Sequence, residues 1–215
     1  CRSFIIKKIF KTFIPDNTLL SNKIKKTLSV LKGIPPKKPI QDILDKYAAI
    51  KNDVIFLQVG SNEGFTADPI NPYIIKYKWT GLLVEPIPYL FEKLKNNYAS
   101  YDNKLFFENA AISDKDGEQT GYRLKISDDP NLPKWYDQIG SFKKEVVLKH
   151  RNRIPNFDAL FIEDKVKTTS FDSLFKKHNL HSFDLIHIDT EGYDYEILKL
   201  LNLKDIDADV VLFED

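Results

Sequence analysis

Five short apolar runs of strand type recur along the chain: "VIFLQV" (54–59), "GLLVE" (81–85), "KLFFENAAIS" (104–113), "FDLIHID" (183–189) and "ADVVLFED" (208–215). Segments with helical spacing are interleaved with them, notably "IQDILDKYAAI" (40–50), "YLFEKLKNNY" (89–98), "SFDSLFKKH" (170–178) and "YDYEILKLLN" (193–202). A strand apolar at nearly every position is buried on both faces, and strands alternating with helices join in parallel through crossovers. The pattern predicts an α/β fold with a mostly parallel sheet and helices on both faces. Ser170 or Asp172 supplies the N-cap of the helix that follows. "SDKDGE" is turn chemistry, and "QTGYRLKI" after it reads as an antiparallel return strand.

The charge is unevenly spread. Residues 1–40 hold ten Lys/Arg against Asp16 alone, a net +9, and the remainder carries −8. A basic arm and a Pro-rich linker, "KGIPPKKP", therefore occupy residues 1–39, and an acidic domain occupies 40–215. Within the arm, Ile5, Ile9 and Phe13 form one helical stripe with lysines opposite, a segment suited to a partner surface, its own domain or an anionic membrane. An acidic body repels phosphates, so nucleic acid is not expected as a partner. No apolar run reaches the roughly 18–20 residues of a membrane span, and the lone cysteine, Cys1, suits a reducing compartment such as the cytoplasm. The sequence contains no methionine, which points to a clipped or partial chain. "VVLF" (210–213), as the fifth parallel strand, would leave an apolar edge of the kind soluble proteins avoid. Further chain, a partner or residues 1–40 should cover it.

The first strand runs into "GSNEG" (60–64), and an acid, Glu85, ends the second strand 21 residues after Gly64. In an open α/β sheet the ligand crevice lies outside the carboxyl ends of the strands, and an acid there can accept both hydroxyls of a ribose. A dinucleotide fingerprint fails, because Asn62 stands where a middle glycine would meet pyrophosphate and Glu63 puts a negative charge at the phosphate site. No Lys-Ser/Thr follows, so a P-loop fails too. S-adenosylmethionine carries a sulfonium and no phosphate, and of the nucleoside cofactors it suits this turn best.

"VGSNEG", "GLLVEPIPYLFEKLKNNY", "ENAAISDKDGE" and "DLIHIDTEGYDYEILKLL" resemble, in order and spacing, the motifs of the FkbM-type S-adenosylmethionine-dependent methyltransferases. "VKTTSFDSLF" resembles the strand before the fourth of them. The resemblance implies a Rossmann-like class I methyltransferase fold and O-methylation of a hydroxyl on a saccharide or similar metabolite. By position it implies that Gly60, Ser61, Asn62 and Gly64 wrap the methionine part of the cofactor, flanked by Gln58 and Glu63. It places Glu85, followed by Pro86, at the ribose, and Asn109 and Ala110 at the adenine. Gln58 departs from the family's common Asp and would accept a hydrogen bond from the cofactor's ammonium without charge assistance.

"HIDTEGYD" (187–194) concentrates acids just past a buried strand, with Asp189 at its carboxyl end. Methyl transfer to a hydroxyl needs an in-line arrangement and removal of a poorly acidic proton. Asp189 or Glu191 could be that base, or the two could hold a divalent cation such as Mg²⁺ that acidifies the hydroxyl. Asp189 could instead cap the following helix. His150 is a further candidate on the acceptor side, within a long excursion (128–164) around one helix, "SFKKEVVLKH". Two other functions compete: a metal-dependent glycosyltransferase using Asp189-Thr190-Glu191, which leaves the glycine turn unexplained, and a non-catalytic scaffold with a relic cofactor fold.

Overall fold

The computed structural model describes residues 4–6, 39–201, 206 and 208–214. The basic arm and linker, 7–38, lie outside the described residues. The chain runs β1 (Phe4–Ile6), α1 (Pro39–Ile50), β2 (Ile55–Val59), α2 (Asn71–Tyr77), β3 (Thr80–Val84), α3 (Pro88–Tyr98), β4 (Leu105–Glu108), β5 (Ala111–Ile112) and β6 (Gly117–Leu124). It continues through β7 (Gly140–Ser141), α4 (Lys144–Leu148), α5 (Phe157–Leu160), β8 (Phe161–Thr169), α6 (Phe171–His178), β9 (Leu185–Ile188), α7 (Asp194–Leu200) and β10 (Val210–Glu214).

Five parallel strands form the central sheet in the spatial order β4-β3-β2-β9-β10. The chain winds outward from β2 to β4, then returns to β9 on β2's other side, so the order reverses between β2 and β9. Strand periodicity divides the apolar side chains between two faces. Phe56, Leu83, Leu185, Val210 and Leu212 face one way and pack with α1, α2 and α3 through Leu44, Ile74 and Leu94. Leu57, Val59, Leu82, Val84, Ile186, Ile188 and Val211 face the other way and pack with α6 and α7 through Leu174, Phe175 and Ile197. This is the mostly parallel, two-faced α/β sheet that the runs of apolar residues predict.

Local chemistry sets the helix ends. Prolines stand in the first turns of α2 and α3, where a missing N–H costs nothing. Asn179 takes the left-handed conformation that closes α6. At its start the Ser170 hydroxyl accepts from the Ser173 amide at 3.3 Å. Ser170→Ala should cost about 1 kcal/mol of stability, read as a lower urea midpoint at unchanged slope.

Three expectations are corrected. Over Phe4–Ile6 the amphipathic segment is a strand, paired antiparallel with β10 through Phe4↔Glu214, Ile5↔Phe213 and Ile6↔Leu212. This backbone covers the outer edge over residues 212–214, one of the three covers expected there, and among the described residues it does not extend to Val210 and Val211. Second, β6 is the antiparallel strand expected, but its partner is β8 in a separate sheet of order β5-β8-β6-β7 rather than the strand run before it. Third, the helix of the excursion is only five residues, Lys144–Leu148, and the excursion's last residues belong to β8. The segment in between is held by its own small core, where Tyr136, Ile139, Val147, Ile154 and Phe157 pack against Leu124 of β6. Among the described residues no helix is long and apolar enough to cross a membrane.

Candidate active site

A cavity of about 520 Å³ opens at the carboxyl ends of β2, β3 and β9, where the strand order reverses. That size suits a cofactor-like ligand. Its floor is the central sheet, and its roof is the second sheet with part of the excursion. The Gly60 and Ser61 amides both donate to the Val84 carbonyl at 3.0 Å, tying the turn to β3. Gly60 has φ +79°, and a Cβ there would lie 2.0 Å from the Asp189 carbonyl oxygen. The glycine therefore serves a close approach between two strand ends. The Asp189 amide donates to the Val59 carbonyl at 2.9 Å and completes that lock.

Glu85 stands just past β3, 4% exposed. Its carboxylate accepts from the Asn62 amide at 2.7 Å and from the Ile87 amide at 2.9 Å. Burial pushes its pKa up to about 7, against the two amide bonds, which act to lower it. Each carboxylate oxygen accepts one amide bond and keeps a second acceptor site. Gln58, Gly60, Ser61, Asn62, Glu85, Pro86 and Ala110 all border the cavity, as do Asp189 and Glu191. Glu63, Gly64 and Asn109 stand behind it. Glu63 accepts from the Thr66 amide and from Asn97. Gly64 backs onto Leu94 and Tyr98. Asn109 donates to the Glu85 and Pro86 carbonyls and so positions the Glu85 backbone.

Asp68 and His187 also line the cavity, and neither was among the sequence candidates. Asp68 accepts from the Gln58 amide nitrogen at 3.0 Å, and the same nitrogen lies 3.1 Å from Nδ1 of His187, Gln58's partner in the parallel ladder. The amide donates to Nδ1, so the imidazole proton is assigned to Nε2. Burial lowers the His187 pKa and keeps the ring neutral. Gln58 Oε1 and His187 Nε2 are both buried and, among the described residues, without hydrogen-bond partners. The cavity wall thus presents an orphan acceptor beside an orphan donor. His187 was visible as a polar residue inside a buried strand. Asp68 carries no sequence signal, since only folding of the turn brings it to Gln58.

Asp189 and Glu191 share the rim below α7. Glu191 holds φ +50°, and Gly192 after it φ +87°. A non-glycine residue in that region is a strained placement of the kind found at ligand sites. The N-cap of α7 is Tyr193, so Asp189 does not cap it; Asp194 accepts from the Thr190 hydroxyl at 3.1 Å. His150 borders a second, smaller cavity together with Trp135, Gln138, Arg153 and Glu191. Burial moves its pKa below the ordinary imidazole range, while the Glu191 carboxylate acts in the opposite sense. Overhead, Arg123 pairs with Asp164 at 2.5 Å and joins β6 to β8 across the roof. Among the described residues no group of three or more His, Cys, Asp and Glu side chains is arranged to hold a metal ion.

The family model described as "Methyltransferase FkbM domain" matches residues 58–215. The chain belongs to the FkbM methyltransferase family. Membership makes it a methyltransferase in general terms and bears out the resemblance read from the motifs. No curated protein matches the chain. Among solved structures it is similar to YjhP from E. coli, at 10% identity with a TM-score of 0.27, over 68% of this chain and 64% of that one. The chain thus spans just under two thirds of that relative's length.

Proposed function

We propose that the protein is an S-adenosylmethionine-dependent O-methyltransferase acting on a hydroxyl of a saccharide or similar metabolite. The observation that carries this reading is the cavity at the switch point, which brings the glycine turn, a buried strand-end acid and Asp189 to one volume. The donors and acceptors on its wall fit the cofactor. Gln58 Oε1 and Asp68 match the needs of an amino acid's ammonium, His187 Nε2–H those of its carboxylate, and Glu85 those of a ribose diol. The turn thereby gains a role that the glycosyltransferase reading leaves unfilled. S-adenosylmethionine, when bound, supplies a methyl group on a positively charged sulfur. The chain's own residues bind it, exclude water beneath the roof and accept the proton of the acceptor hydroxyl at Asp189. A cation shared by Asp189 and Glu191 is the alternative route to an acidic hydroxyl.

The test is calorimetry with adenosylhomocysteine. The wild type should bind, and Glu85→Ala should lose about 1–3 kcal/mol of affinity, because the ribose hydroxyls lose their acceptor. Glu85 also makes the binding pH-dependent. Its ionised form is the better acceptor, so wild-type affinity should fall as pH drops through about 7, whereas Glu85→Gln should bind more weakly and without that slope. The free protein should respond in the opposite sense. A carboxyl whose folded pKa is raised destabilises the fold once ionised, so stability should rise as pH falls from about 7 toward the ordinary glutamate range. Equal affinity for wild type and Glu85→Ala would remove Glu85 from the ribose.

A further inference from the structure

The second cavity, about 240 Å³, adjoins the main one: Trp135, Gln138 and Glu191 border both. It is smaller than most cofactor pockets and of a size for one ring. Its wall is polar, with Gln138, His150, Arg153 and Glu191 around the Trp135 indole. Trp135 is 39% exposed, an unusual position for so large an apolar group. Its ring is held nonetheless, edge-to-face against His150 at 5.5 Å. The next residue, Tyr136, is buried and fixed to the Ser127 backbone through its hydroxyl. A rigid, half-open indole beside hydrogen-bonding side chains provides an apolar face for a ring and partners for its hydroxyls.

The cationic group narrows the ligand. Arg151 is taken up by Asp158 at 2.5 Å, whereas Arg153, two residues on, lines the cavity. His150 Nδ1 is buried there with no hydrogen-bond partner among the described residues. A guanidinium is the side chain best shaped to grip a planar carboxylate through two parallel bonds. A phosphate dianion is disfavoured, because the Glu191 carboxylate on the same wall repels two charges more than one.

Resting on the methyltransferase reading of the main cavity, we propose that the second cavity is the acceptor subsite and takes a sugar ring bearing a carboxylate. Arg153 holds the carboxylate, Trp135 stacks on the ring, and the hydroxyl to be methylated faces the junction with Asp189.

The two tryptophans make a direct test possible. Trp79 is 1% exposed, so acrylamide quenching of the native protein reports Trp135. The probes are methyl glucuronide and methyl glucoside, a pair differing only in a carboxylate against a hydroxymethyl group, titrated with adenosylhomocysteine present. The glucuronide should protect Trp135 at roughly tenfold lower concentration than the glucoside, the worth of one charge-assisted contact partly screened by water. Arg153→Gln should bring the glucuronide to the glucoside's level and leave the glucoside within twofold. Arg151→Gln, which alters the neighbouring charge outside the cavity, should keep the preference. Equal protection by both sugars, protection by neither, or a preference that survives Arg153→Gln would each overturn the proposal. Cofactor binding is read separately by calorimetry without sugar. Failure there counts against the methyltransferase reading of the main cavity, and failure confined to the quenching titration counts against the acceptor subsite.

Discussion

Gly60→Ala is expected to cost on the order of 4 kcal/mol of folding stability, enough to leave the protein largely unfolded at physiological temperature if its reserve is ordinary. Two costs add. The left-handed φ of +79° penalises any Cβ by roughly 1–2 kcal/mol. The Cβ would also sit 2.0 Å from the Asp189 carbonyl oxygen and 2.8 Å from its carbon. Both are backbone atoms at a strand end, so the clash can be relieved only by prising β2 from β9. Gly192→Ala is the matched control. Its φ is +87°, but its Cβ would meet only Val146 at 3.6 and 3.8 Å, an ordinary contact. That variant should lose the conformational share alone, about 1–2 kcal/mol. Urea unfolding of both variants decides the matter. If Gly60→Ala is no worse than Gly192→Ala, the strand ends do not meet as described.

Asp189→Asn should leave the fold and the affinity for adenosylhomocysteine within twofold of the wild type while turnover falls by roughly 10²–10⁴-fold, the usual worth of a positioned proton acceptor. The amide keeps the shape of the carboxylate and removes its capacity to take a proton. The Asp189 amide bond to Val59 is backbone-borne and survives the change, which is why cofactor affinity and turnover separate. A chelator should leave wild-type turnover unchanged if Asp189 acts as the base. Activity lost to chelator and restored by Mg²⁺ would instead assign Asp189 and Glu191 to a shared cation. An Asp189→Asn enzyme at full rate and indifferent to chelator would take Asp189 out of the chemistry altogether.

The central sheet was legible because its strands are apolar on both faces. The alternation of Phe56 with Leu57, or of Leu185 with Ile186, is one between two cores, which a continuous apolar run conveys. The strand-end residues Gly60, Glu85 and Asp189 were legible for the same reason, since they follow directly from where such runs stop. The roof was not. β8 begins in "FIED", whose acidic residues hide the strand until Arg123, which stands opposite Ile162, reaches diagonally to Asp164. Trp135 caps one single 3₁₀ turn and Arg153 ends another, and each turn is too short to show a period. Asp68 meets Gln58 only because Asn62, Gly64 and Ala67 all take positive φ and fold the intervening chain back. Pairing at a separation of ten positions is a property of three-dimensional closure and leaves no pattern in the sequence.

The lock between Gly60 and Asp189 also divides the labour of the protein. The spacing between the residues proposed to hold the methyl donor and the one proposed to take the proton is that of two adjacent parallel strands, set by a backbone ladder and indifferent to side-chain fashion. The walls proposed to choose the acceptor sit on another sheet and on the chain between 128 and 160, with a small core of their own. Sequence drift can remodel that half freely, since nothing in it sets the reach of the transfer. Relatives sharing this scaffold should therefore differ widely in what they methylate and very little in how far the methyl travels.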